Sequence, residues 1–86
     1  MHEEEQTPEE REEIARLRKK YRHIVAWGRF MGSYSYYVEA ELLRAEKDNA
    51  PKDAMYKKDH VWVTYEQSTN MASGTRTRME ELLNEA

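Results

Sequence analysis

The chain has 86 residues, 38% of them hydrophobic and 36% charged, with a net charge of −3 and no cysteine. That length holds one domain, and the lack of Cys excludes disulfides and thiolate zinc sites. Leu, Ile, Val and Phe together are few, which points toward disorder unless two Trp, six Tyr and five Met supply the missing apolar area.

Residues 1–6 read as the acidic tail of a single helical domain spanning 1–86. Thr7-Pro8-Glu9-Glu10 predicts a helix starting at Pro8: Thr7 caps it, Pro suits the first helical position, and Glu10 completes a capping box. An apolar or small residue then recurs at alternating steps of three and four. The series is Ile14, Leu17, Tyr21, Ile24, Gly28, Met31, Ser35, Val38, Leu42, Ala45. This unbroken register predicts one helix over 8–47, roughly 60 Å long. A kink near Gly32 is the alternative, because Gly28, Gly32 and the neighbouring serines lower helix propensity. The helix should end at Asp48-Asn49-Ala50-Pro51, since Pro51 disfavours a helical Ala50.

Residues 48–63 read as a connector with one helical turn around Ala54-Met55-Tyr56. Val61-Trp62-Val63-Thr64-Tyr65 is β-prone, yet no partner strand is evident, so it reads as an extended entry into a second helix over 65–85. Thr64 and Gln67 fit a second capping box, while Ser73-Gly74-Thr75 is a point of interruption and Thr77 a cap for a fresh start. The predicted fold class is all-α: a helical hairpin of a long N-terminal and a shorter C-terminal helix, assembled as an oligomer. Ser68, Ala72 and Thr75, on one stripe with Tyr65, Met79 and Leu82, should face the first helix.

The oligomer follows from the middle of the first helix. Between Ile24 and Val38 it is apolar all round and Arg29 is the single charge, the mark of a buried helix. One C-terminal helix cannot cover every side. The candidate interface is therefore Trp27, Gly28, Arg29, Phe30, Gly32, Tyr34, Tyr36 and Tyr37, with rings and an Arg of the kind interfaces use as anchors. Gly28 and Gly32, four apart, would let another helix approach closely.

Charge is segregated: residues 1–13 carry seven acids against Arg11, whereas residues 14–30 carry six bases and no acid. The plain reading is that the two blocks solvate and offset one another. The sharper one is a site for a small anion such as a nucleotide, with Lys19, Lys20, Arg22, Arg76 and Arg78 as contacts. Nucleic acid is disfavoured by the acidic balance. No catalytic or cofactor motif is present, and His2, His23 and His60 have no metal-ligand spacing. No membrane span is predicted, nor a secretory signal, so the expectation is a cytoplasmic, non-enzymatic protein that binds and inhibits a protein partner. By size and composition alone, the analogy is to small accessory proteins with which phages block a host machine.

Overall fold

The computed structural model describes residues 6–67 and 72–85. Helix α1 (Pro8–Lys20) opens on the complete capping box: Glu10 N–H donates to Thr7 Oγ1 at 3.1 Å, and Thr7 N–H donates to the Glu10 carboxylate at 2.8 Å. A single residue, Tyr21, at φ −114° and ψ 58°, separates α1 from α2 (Arg22–Met31). Gly32 then takes the left-handed φ of 73° that ends α2, and α3 runs over Ser35–Asp48. Asn49, at φ 56°, caps its C-terminus ahead of Pro51.

The expected continuous helix over 8–47 is thus three helices, and the all-α two-helix hairpin is corrected to four helices and a two-stranded sheet among the described residues. Strand β1 (Ala54–Lys58) occupies the place of the predicted helical turn and pairs antiparallel with β2 (Val61–Thr64), Lys57 opposite Trp62. The tight connection passes through Asp59 and His60, both at left-handed φ (52° and 68°), the hand that matches the twist of hairpin strands. Thr64 and Gln67 do bond reciprocally, at 3.3 and 3.2 Å, but they close a short turn after β2. The last helix, α4 (Ser73–Glu85), begins later than the predicted 65. Ser68 and residues 1–5 of the tail lie outside the described residues, and Ala72 is exposed.

Side-chain pairing shows how α1, α2 and α3 fold on one another. Along α1 and α3 the pairs ascend together, Gln6 with Glu39 and then Arg16 and Lys20 with Glu46. Along α2 and α3 they run in opposite senses, Tyr21 with Ala45 and Gly28 against Val38. Both halves of the predicted stripe are therefore buried, Leu17, Tyr21 and Ile24 facing Val38, Leu42 and Ala45 in one cluster. Met31 and Ser35, the stripe positions beside the turn, are exposed.

A second cluster forms around α2, where Ala26 meets Met55, Met79 and Leu82, with Trp27, Phe30, Tyr56 and Val63 packed against it. Asp48, at the end of α3, anchors the hairpin by accepting from Lys57 Nζ at 2.7 Å and Trp62 Nε1 at 2.9 Å.

Glu46 joins the first three elements. It accepts from Lys20 Nζ at 2.9 Å, Arg16 Nη2 at 3.1 Å and the Tyr21 hydroxyl at 3.2 Å. The hydrogen bonds from Lys20 and Arg16 hold its carboxyl at about 2, below the ordinary 4.5, and those from Lys57 and Trp62 lower Asp48 in the same direction. A folded value below the unfolded one contributes stability above the unfolded value, and that stability is lost as pH falls through the folded value. The melting temperature should therefore decline as pH drops from about 5 toward 2, a modest effect because these groups are partly solvated. Glu46→Gln should flatten part of the decline; an unaltered slope would show that Glu46 is not the group responsible.

Candidate functional site

Helix α2 packs against α1, α3, β1 and α4, and Arg22 and Arg29 are left on its exposed side. The predicted belt consequently divides. Trp27 lies between Phe30 and Tyr56, with ring centroids 5.4 and 4.8 Å away and planes 30° and 25° apart. Those rings belong to the cluster shared with α4 and the hairpin, so part of the area assigned to an oligomer contact is covered within one chain. Gly28 and Gly32 have separate tasks. A Cβ on Gly28 would lie 2.5 Å from Val38 Cγ2, so the glycine sets the close approach of α2 and α3, whereas Gly32 supplies the left-handed cap.

The other half of the belt faces solvent. Tyr34, Tyr36 and Tyr37 are 69%, 61% and 54% exposed, and Met31 is 58% exposed. The three rings contact one another at the turn into α3, with centroids 4.3 Å apart for Tyr36–Tyr37 and 6.0 and 6.2 Å from Tyr34 to these two. A hydrogen bond with Tyr37 pushes the Tyr36 hydroxyl up from its ordinary value. The geometry explains the clustering: Ser35 starts α3, so Tyr36 and Tyr37 occupy its first turn, and Tyr34 precedes it in extended conformation. Beside them, α2, α3 and β1 border an open groove of about 300 Å³ whose walls include Trp27, Tyr37, Tyr56 and Glu41.

The five predicted anion contacts do not converge on one site. Lys20 is held by Glu46, and Arg78 pairs with Glu81 at 3.0 Å. Arg76 lies over the Tyr65 ring, 4.3 Å from its centroid. Arg22 donates to the Leu83 carbonyl at 2.6 Å, near the negative end of α4, and Arg29 stands 3.9 Å from Glu85. Lys19 and Arg22, with Arg18, Val25 and Arg29, line a shallow groove of about 260 Å³.

His23 is half-buried against Tyr65, with ring centroids 5.2 Å apart. Burial lowers its pKa and favours the neutral ring. Among the described residues there is no group of three or more potential metal ligands and no helix long and apolar enough to cross a membrane.

The sequence pattern did not single out Met31, Glu41 or Tyr56 as site residues. Glu41 follows Tyr37 by one helical turn, a spacing visible in advance. Tyr56 joins the site only because β1 is a strand. Comparison with protein-family models, with curated proteins and with solved structures gives no match.

Proposed function

We propose that this chain is a non-enzymatic binding protein that occupies the surface of a protein partner and thereby blocks it, with Tyr34, Tyr36, Tyr37 and Met31 as the contact face. One observation carries the reading: three mutually packed tyrosines and a methionine lie more than half exposed at one end of α2 and α3. Tyrosine gives large, stiff contact area with a hydroxyl at its rim, and Met adapts to an irregular counterpart. Preassembled rings also lose little freedom when covered. Arg29, half-exposed on α2, adds a directional charge.

A photo-crosslinking side chain at position 36 should trap a polypeptide in the cells that make the protein, and one at exposed Lys58 of β1 should not. Tyr34→Ser with Tyr36→Ser should weaken binding of the trapped protein about tenfold or more while leaving the melting temperature close to that of the parent. Equal trapping from both positions, or unchanged affinity of the double variant, would overturn the proposal. Capture of a second copy of the chain would reassign the face to self-association.

A further inference from the structure

Charged side chains on the outer side of α1 and α2 gather into one basic groove. Arg18 and Lys19 at the end of α1 and Arg22 and Arg29 on α2 line it, with the buried Val25 among them, around a volume of about 260 Å³. We infer that this groove docks a short acidic segment of a protein partner, its Asp or Glu carboxylates held by the four basic side chains and its aliphatic stems covering Val25. Two observations combine. Among the described residues no acid lines the groove, and the fold leaves its charges almost uncompensated. Arg16 and Lys20, from the same basic block, are held by Glu46 at 3.1 and 2.9 Å, whereas neither Arg18 nor Lys19 has an ion-pair partner among the described residues.

Arg22 gives one N–H to the Leu83 carbonyl at 2.6 Å and keeps its other donors. That bond also fixes the guanidinium, so little side-chain freedom is lost when a carboxylate arrives. Arg29 meets Glu85 at a loose 3.9 Å, with both side chains about half exposed, so a carboxylate already reaches the edge of the groove. Gathering like charges on one face costs stability instead of adding to it. The core therefore gives no reason for the cluster, and a partner of opposite sign does. Polypeptide fits better than nucleic acid. Glu9, Glu12 and Glu13 precede the groove on α1, Glu85 borders Arg29, and the whole chain carries −3. A long phosphate backbone would run from the groove onto like charge, whereas a short segment stays within it. The inference shares Arg29 with the tyrosine face and no other residue, so the failure of either reading leaves the other standing.

The probe is a capped hexaglutamate peptide, titrated into the full chain while the Val25 methyl groups and the Arg22 and Arg29 amides are followed by NMR. Capped hexaglutamine and the oligonucleotide hexathymidylate are its counterparts. Hexaglutamate should shift these resonances saturably, and hexaglutamine should not. The affinity should fall several-fold as salt is raised from about 0.01 to 0.15 M. Arg18→Gln with Lys19→Gln removes two charges that pair with no described residue. That variant should weaken hexaglutamate binding about tenfold or more, with a melting temperature close to that of the parent. Arg44→Gln with Lys47→Gln removes the same charge from α3, outside the groove, and should bind as the parent does. No saturable shift, equal binding of hexaglutamine, or equal loss in the two double variants would each overturn the inference. Tighter binding of hexathymidylate would overturn it too, and reassign the groove to nucleic acid.

Discussion

Gly28→Ala should destabilise the protein, although alanine in a helix interior is ordinarily favoured over glycine by about 1 kcal/mol. The added Cβ would stand 2.5 Å from Val38 Cγ2. Val38 is buried, and a β-branched side chain in a helix has one strongly preferred rotamer, so the helices must part or Val38 must leave its well. Overpacking of this kind costs about 1–3 kcal/mol, more than the propensity gain in most of that range. Each net kcal/mol lowers the melting temperature of a domain this size by about 4–8 °C.

The decisive measurement is a double-mutant cycle. Val38→Ala alone opens a void and should destabilise, whereas in the Gly28→Ala background it should cost less or restore stability. A coupling energy of about 0.5–3 kcal/mol is the expected range for residues in contact. A stabilising Gly28→Ala with no coupling would mean that α2 and α3 do not approach closely at this point.

That contact also explains how the stripe could be right about burial and wrong about continuity. Leu17, Tyr21 and Ile24 fall in the same core as Val38, Leu42 and Ala45 because the chain turns at Gly32 and lays the second group against the first. A heptad count cannot see this, because Gly32, Ser33 and Tyr34 happen to preserve the numbering across the loop. Local chemistry was more dependable. Thr7 and Glu10 form their box, and Asn49 before Ala50-Pro51 ends α3, since each signal depends on groups only a few residues apart. The hairpin is not legible in the sequence for the opposite reason. Its turn is made by Asp59 and His60 in left-handed conformations without glycine, and β1, reading Ala-Met-Tyr-Lys-Lys, has little of the β-branched content that marks a strand.

Strand β1 also decides which rings are covered within the chain. With only two helices in view, the rings between Trp27 and Tyr37 that the C-terminal helix could not reach had to be covered from outside the chain. Once β1 supplies Tyr56 and Met55, and α4 supplies Met79 and Leu82, Trp27 and Phe30 have internal neighbours. Tyr34, Tyr36 and Tyr37 do not gain that cover, because they sit at the far end of the α2–α3 turn. The distinction between core rings and contact rings is thus tertiary. The composition showed that aromatics must replace aliphatics, but not which ones would.

Tyr21→Ala should be among the most damaging substitutions in this chain, and Tyr21→Phe among the mild ones at a fully buried position. Tyr21 is the one residue between α1 and α2, and its ring is wholly enclosed in the cluster that includes Leu17, Leu42 and Ala45. Removing a buried aromatic ring costs about 3–5 kcal/mol, whereas a domain of this length has a total stability of only about 4–13 kcal/mol. Urea melts of Tyr21→Ala should therefore show a much lower midpoint or an already unfolded baseline.

The hydroxyl contributes far less. It makes a 3.2 Å bond to Glu46 and a long 3.5 Å bond to the Ala45 carbonyl. Glu46 retains Lys20 and Arg16, and the Ala45 carbonyl retains Ala50 N–H at 2.9 Å. With no acceptor left unpaired, Tyr21→Phe should cost about 1 kcal/mol. Equal losses for the two variants would place the stabilisation in the polar contact with Glu46. A mild Tyr21→Ala would show that the ring is not the shared wall on which α1, α2 and α3 close.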